Sequence, residues 1–156
     1  MTRMPASAVL AAAILITPVS VVAAGSEPAA GSPTRADPDY QKARQAIDAK
    51  DWETAIELLN RVAGRNDSDA NLYSWLGYAE RQRGNYPQAF SYYDKALALD
   101  PKHRGAHEYI GEAYLLMGNL AKAEEHLAAL DQLCFFSCSE YRELKEQVAR
   151  FKQQTK

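Results

Sequence analysis

Apolar residues in the middle of the chain recur at intervals of three and four positions, the spacing of one face of an α-helix. Two such stripes follow each other between residues 72 and 97. Their members are Leu72, Trp75, Leu76, Ala79, Ala89, Tyr92, Tyr93, Ala96 and Leu97. The dipeptide Gly84-Asn85 separates the stripes, and glycine accepts the left-handed backbone that a tight turn needs. The pattern predicts two helices joined by a short turn.

The same pattern returns with a period of 34 residues. Gly77 and Gly84 are matched by Gly111 and Gly118, and the same places one period earlier hold Ala43 and Lys50. A fixed period of this length is typical of stacked helical hairpins, in which each unit buries its apolar face against the next. We expect position 77 to be small because the two helices of a hairpin approach each other closely there.

Residues 73–101 resemble the tetratricopeptide repeat. The residues that carry the resemblance are Tyr73, Leu76, Gly77, Glu80, Ala89, Tyr93, Ala96 and Pro101. The third copy matches with His107, Ile110, Gly111, Tyr114, Ala123 and Leu127, and has Leu130 and Phe135 where alanine and proline are expected. The resemblance implies an all-α fold, a right-handed α-solenoid of three hairpins at about 36–69, 70–103 and 104–137, within a repeat domain of 38–137.

Residues 138–156 are predicted to form one further helix that caps the solenoid. Tyr141, Leu144, Val148 and Phe151 lie on one face of this helix, and charged residues occupy its other sides. A terminal helix with a polar outer face is what a repeat array needs to cover its last unit. Ser137 followed by Glu140 resembles a capping box, so the helix should begin near Cys138.

The first residues have the pattern of an export signal. Arg3 precedes an apolar run from Ala6 to Ile16, and small residues follow at positions 22–24. We expect residues 1–24 to be a cleaved signal peptide, with a retained membrane tether as the alternative. Residues 25–37 are rich in Gly, Ser, Pro and Ala and are predicted to be a disordered linker. Export into a bacterial periplasm, without membrane insertion after cleavage, is the expected location.

The charge pattern narrows the class of partner. The chain has 18 basic and 20 acidic residues, a formal net charge of −2, and no basic block. Nucleic acid is therefore not an expected partner. The sequence also contains no Ser-His-Asp arrangement and no glycine-rich phosphate loop, so we expect neither catalysis nor a cofactor, and we predict no metal site. His103 and His107 are interpreted as solvated residues at a helix start.

The chain has two cysteines, and both fall within the stretch LDQLCFFSC at the end of the third copy. Cys134 and Cys138 are predicted to form a disulfide that holds the cap on the last repeat, because paired cysteines of exported proteins usually oxidise. Closing so short a loop should contribute on the order of 2 kcal/mol. Phe135 and Phe136 are expected to fill the junction beneath the cap.

Two other roles for the cysteine pair stay open. Thiolates four residues apart can bind a soft ion such as Cu(I), with His126 as a candidate third ligand. A thiol at a helix N-terminus also has a lowered pKa, so Cys138 could take part in redox chemistry. The alternative to a binding role is therefore a thiol-redox or copper-handling protein.

The family resemblance also implies a concave groove lined by the first helix of each pair. The groove positions, carried across to this chain, are Tyr40, Arg44, Asp48, Asn71, Ser74, Tyr78, Arg81, Glu108, Glu112 and Leu115. Tyrosine and arginine are enriched in protein-binding hot spots. Glu108 and Glu112 replace the basic residues with which some family members bind a C-terminal carboxylate. We expect a protein or peptide partner, of polarity opposite to a groove that is basic in the first two repeats and acidic in the third.

Overall fold

A computed structural model describes residues 33–136 and 138–155 of the chain. The predicted signal peptide and residues 25–32 of the predicted linker lie outside the described residues. The helices in the described ranges are α1 (Pro33–Ala36), α2 (Pro38–Asp48), α3 (Trp52–Ala63), α4 (Ala70–Gln82), α5 (Tyr86–Leu99), α6 (Arg104–Leu116), α7 (Leu120–Leu133) and α8 (Ser139–Gln154).

Helices α2 to α7 form three antiparallel pairs, and α8 packs against both helices of the last pair. Each of the three sequence windows contains one pair, α2 with α3, α4 with α5, and α6 with α7. The described ranges contain helices and no strands, so the predicted all-α solenoid is confirmed. No helix in these ranges is both long and apolar enough to cross a membrane.

The turns within the pairs depend on one residue with left-handed backbone. Gly84 and Gly118 have φ values of 80° and 75°, and Lys50, at the same place in the first pair, has φ 59°. Each turn is followed by a helix start. The side chains of Asp51 and Asn119 accept hydrogen bonds from the N–H groups of the first turns of α3 and α7.

Helices α4 and α5 of the second pair approach each other closely at Gly77, which has no side chain. A Cβ at Gly77 would collide with the ring of Tyr93 and lie 3.0 Å from the carbonyl oxygen of Ala89. The equivalent Gly111 faces a different neighbour, because its missing Cβ would lie 2.5 Å from Cδ2 of Leu144 on α8. The repeated glycine therefore makes space for two different neighbours. At position 77 the ring of Tyr93 from the same pair packs against it, and at position 111 Leu144 of the capping helix does.

The predicted linker is wrong for its last residues. Residues 33–36 form a helical turn, and Asp37 is the N-cap of α2. The side chain of Thr34 is buried and accepts a hydrogen bond of 2.8 Å from Asn66. Arg65 bonds both carboxylate oxygens of Asp37, the shorter contact being 2.8 Å. The partners in these contacts, Arg65 and Asn66, follow α3 and are distant from residues 33–37 in the sequence. Composition alone does not reveal such contacts.

The expectation for the two phenylalanines is also wrong. Phe135 is 92% exposed and Phe136 is 89% exposed. The junction between α7 and α8 is instead filled by the buried cluster that contains Leu130, Leu144 and Val148. Helix α8 begins at Ser139 with Cys138 as its N-cap, so the predicted start near Cys138 is confirmed. Ser137 lies outside the described residues.

We predict that Gly111→Ala lowers the free energy of unfolding by about 1–3 kcal/mol, the usual cost of overpacking a core. The added methyl group would need the space of Leu144, whose side chain is fully buried and cannot move into solvent. Urea denaturation followed by circular dichroism measures the change.

Gly64→Ala is the matched control. The new Cβ would lie 3.5 Å from the carbonyl oxygen of Arg61, an ordinary contact, and the backbone there is right-handed. Its stability should stay within about 1 kcal/mol of the parent. Equal losses in both variants would contradict the proposed role of Gly111 in admitting α8.

Candidate binding groove

Helices α4, α6 and α8 line an open groove of about 680 Å³. Six of the ten predicted groove residues lie on its wall: Asn71, Ser74, Tyr78, Arg81, Glu108 and Glu112. They come from two successive first helices of the repeat, which stack side by side and turn the same face inward. Helix α8 closes the groove on the third side with Ser139, Glu140, Glu143 and Gln147.

The other four predicted residues do not line this groove. Leu115 is buried in the apolar cluster between α6, α7 and α8, because its position on α6 faces the cap. Tyr40 is buried in the core of the first pair, whereas Asp48 is exposed at the end of α2. Arg44 lies over the ring of Trp75 with its guanidinium carbon 3.5 Å from the ring centre, so it touches the aromatic floor from the side of α2.

The floor of the groove is aromatic. The ring centres of Tyr78 and Tyr109 are 5.0 Å apart, and that of Trp75 lies 5.6 Å from Tyr78 and 5.9 Å from Tyr109. All three side chains are half-buried. Burial raises the pKa of Tyr109 above its ordinary value, so its hydroxyl stays protonated at physiological pH. The floor offers both apolar ring surface and a neutral donor.

The cation in the groove is already paired. Nη2 of Arg81 donates to Glu112 over 2.6 Å, and both side chains are largely buried. The side-chain amide of Gln147 on α8 donates to the other oxygen of the same carboxylate. Glu112 therefore joins α4, α6 and α8, and its charge is balanced within the protein.

Glu108 has a different environment. Its side chain is buried, and it makes no ion pair within the described ranges. Burial, the nearby charge of Glu112 and a hydrogen-bonding contact with the carboxyl of Glu143 raise the pKa of Glu108 to about 8. Glu140 adds a further negative charge, although Arg104 lies 3.7 Å from it at the rim.

One end of the groove is fixed by a histidine. Nδ1 of His103 accepts a hydrogen bond of 3.0 Å from the N–H of Ala106 and so caps α6. Its other nitrogen must then carry the proton, and it donates to the amide oxygen of Asn71 over 3.2 Å. Burial lowers the pKa of His103 and favours this neutral form. The prediction of a helix-start histidine is right, but the prediction that it is solvated is wrong.

His107 is not simply solvated either. Its Nε2 lies 3.1 Å from the carbonyl oxygen of Pro101, which can only accept, so its Nδ1 is left to accept from Nδ1 of His126 over 3.0 Å. Burial and the neighbouring His107 lower the pKa of His126 to about 4. No group of three or more metal-binding side chains occurs among the described residues.

Cys134 and Cys138 lie next to each other, with their Cα atoms 5.5 Å apart. Cys134 ends α7 and Cys138 is the N-cap of α8, as the sequence predicted. The pair therefore stands at the connection between the last repeat and the cap, and it does not line the groove between α4, α6 and α8.

Sequence reasoning missed several groove residues. The apolar spacing assigns Trp75 to the helix core, and Tyr109, next to Glu108 on α6, is not among the predicted groove positions, yet both line the groove. The apolar stripe of α8 assigns Glu140 and Glu143 to the polar outer side of a capping helix. A signal for their role exists, because α8 begins at Ser139, within one residue of a full repeat period after the start of α6 at Arg104, and thus occupies the place of a fourth first helix.

Comparison with known families agrees with this architecture. Two models described as tetratricopeptide repeat match the chain, one over residues 40–104 and one over residues 80–148. Between them they span all three pairs except the first two residues of α2, and they extend into α8. The chain belongs to the tetratricopeptide repeat family.

Relatives with curated descriptions share only the repeats. Tetratricopeptide repeat protein 1 of Schizosaccharomyces pombe is 33% identical over 98 residues, which are 59% of this chain and 9% of that protein. This chain therefore matches a small part of that relative's length. The likeness supports the repeat assignment and does not extend to the activity of the larger protein.

Solved structures with the same fold include two that are complexes. The TPR2B-domain:pHsp70 complex of yeast Sti1 has a TM-score of 0.68 at 23% identity, covering 74% of this chain and 94% of that one. The Yersinia enterocolitica type III secretion chaperone SycD, with a peptide of the translocator YopD, has a TM-score of 0.64 at 20% identity, covering 76% and 92%. At these identities the likeness shows the fold.

We predict that Glu108 makes stability fall as pH rises. The folded protein keeps the Glu108 proton up to about pH 8, whereas the unfolded chain releases it near the ordinary value of 4.5. Between about pH 4.5 and pH 8 the folded state therefore binds more protons than the unfolded state, so the free energy of unfolding falls as the pH rises through this range. Glu108→Gln cannot ionise and should be more stable than the parent at alkaline pH, by on the order of 1–3 kcal/mol near pH 8.

Urea denaturation at several pH values from acid to alkaline measures this difference. Glu146→Gln is the control, because Glu146 is exposed on α8 and does not line the groove. Its stability should follow the parent at every pH. An unchanged pH dependence in Glu108→Gln would show that this carboxyl ionises freely in the folded protein.

Proposed function

We propose that this chain is an exported interaction module that holds a segment of a bacterial envelope protein in the groove between α4, α6 and α8. The observation that carries the proposal is the aromatic floor of Trp75, Tyr78 and Tyr109, three half-buried rings in an open concave surface. Tyrosine and tryptophan supply large contact areas at a low cost in side-chain entropy, and they are common at protein-binding hot spots.

The comparisons support a peptide ligand. The SycD structure contains a peptide of the translocator YopD, and the Sti1 structure is a complex with pHsp70. The tetratricopeptide fold is typically an interaction module rather than an enzyme, so the proposal gives this chain a binding role. A groove of about 680 Å³, open along its length, suits an extended or helical segment better than an enclosed small molecule.

Export is proposed from the N-terminal sequence and the cysteines together. Residues 1–24 have the charged, apolar and small-residue regions of a signal peptide. The separation of 5.5 Å between the Cα atoms of Cys134 and Cys138 is within the range that a disulfide spans. In an oxidising periplasm this pair would form a covalent connection between α7 and α8 and so hold the groove wall in place.

A photo-crosslinking phenylalanine analogue in place of Gln82 tests the location of binding. Gln82 is exposed and lines the groove, so an analogue there should form adducts with the partner in living cells of the source organism. The same analogue in place of Ser91, an exposed residue of α5 outside the groove, should form few. Adducts from position 91 alone, or equally from both, would move the binding surface away from the groove.

The mass of the native protein purified from its compartment tests export and the cysteine state. We expect a mature chain beginning near Gly25, two hydrogens lighter than the reduced form and resistant to alkylation before reduction. An intact residue 1 in membrane fractions would support a retained tether. Two thiols that alkylate freely, or a bound copper ion, would favour the redox or copper-handling role.

A further inference from the structure

The walls of the groove carry more negative than positive charge. Glu108 and Glu112 on α6 face Glu140 and Glu143 on α8. The one arginine of the lining, Arg81, is bound to Glu112 and is itself only 7% exposed. An anionic ligand would therefore meet the carboxyls of Glu108 and Glu143, and the arginine that lines the groove is already bound to Glu112.

Glu108 is the group whose charge the protein leaves unbalanced. Its side chain is 5% exposed, and among the described residues it makes no ion pair. Its hydrogen-bonding neighbour is another carboxyl, that of Glu143 on α8. A buried carboxyl is normally paired with a cation or with amide donors, because burying an unpaired charge is costly. Glu108 therefore needs either a bound proton or a cation from a ligand to balance its charge.

The floor beside these carboxyls already holds cations of the protein itself. The guanidinium of Arg44 lies 3.5 Å from the centre of the Trp75 ring, and that of Arg81 lies 5.3 Å and 5.8 Å from the rings of Tyr78 and Tyr109. A cation over an aromatic face is attracted to the π-electrons, most strongly where water is excluded. The same surface can accept a cation from a ligand.

We propose that the groove contains a binding site for a lysine or arginine side chain of the partner segment, formed by the carboxyls of Glu108 and Glu143 beside the ring of Tyr109. The aliphatic part of that side chain lies along the aromatic floor, and its charged end replaces the missing partner of Glu108. This inference rests on the proposed function, and it names the chemistry that selects the partner: a basic residue within an otherwise apolar segment.

The site also couples binding to proton release. Glu108 must lose its proton to pair with a cation, and its pKa in the free protein is raised to about 8. The charged groups around it are Glu112 on its own helix and Glu140 and Glu143 on α8, while Arg81 on α4 is held by Glu112. Binding of a cationic side chain therefore becomes stronger as the pH rises towards about 8.

A random library of peptides about 12 residues long, displayed on phage and selected on the immobilised protein, is the first test. We expect enriched peptides to share one lysine or arginine between apolar residues. Replacing that residue by glutamate in a synthetic copy of an enriched peptide should weaken binding at least tenfold, and replacement by norleucine should weaken it less. Enrichment of acidic or purely apolar peptides would overturn the inference.

The protein variants give the second test, with the same synthetic peptide as probe. Glu108→Gln combined with Glu143→Gln should weaken binding roughly tenfold and remove its increase with pH. The control is Glu146→Gln on the same helix, which should bind like the parent. Circular dichroism and urea denaturation confirm that each variant is folded. Equal binding by the double variant would overturn the inference.

The outcomes separate this inference from the proposed function. Adducts from position 82 without any preference for basic peptides would leave a groove-binding module that does not select a cation. No enriched peptide at all would overturn the cation site, and the crosslinking would then decide alone whether the groove binds a partner. Adducts from position 91 alone, with equal peptide binding by the parent and the double variant, would overturn both.

Discussion

The groove exists because α8 can lie directly against α6. Leu144 of α8 occupies the space that a side chain at position 111 would need, and glycine at that position lets the two helices approach. Once α8 is there, Glu140, Glu143 and Gln147 stand opposite the groove face of α6, and Gln147 bonds Glu112. Gly111, a glycine that recurs with the repeat period, therefore allows α8 to form one side of the groove.

Charge within this groove follows from the same close packing. Glu112 can be buried because Arg81 and Gln147 reach it from the two neighbouring helices. Glu108, one turn earlier, has no such partner among the described residues and holds its proton instead. Two carboxyls on one helix face thus have opposite roles: one connects three helices, and the other leaves an acidic position open to a ligand.

Most of the fold could be predicted because it depends on local spacing. The period of 34 residues, the left-handed turn at Gly84 and the apolar stripe of the last helix are each visible over short stretches of sequence. The errors arose where distant segments meet. Thr34 is buried by a bond from Asn66, and Leu115 faces α8 rather than the groove. Phe135 and Phe136 are exposed, and the junction is filled by Leu130, Leu144 and Val148 from the two helices.

The sequence by itself determined the class of fold, the number of helical pairs and the capping helix, since helical periodicity and small residues act within a repeat. The family resemblance of the sequence also indicated six residues of the groove. The tertiary structure alone decided that Glu140, Glu143 and Gln147 of α8 join this groove and which of its carboxyls are paired. Burial, pairing and the pKa of a carboxyl depend on the distance to groups on other helices. Glu108 and Glu112 look alike in the sequence. Only the packing of α4 and α8 around them places Glu112 in an ion pair and leaves Glu108 an unpaired acid among the described residues.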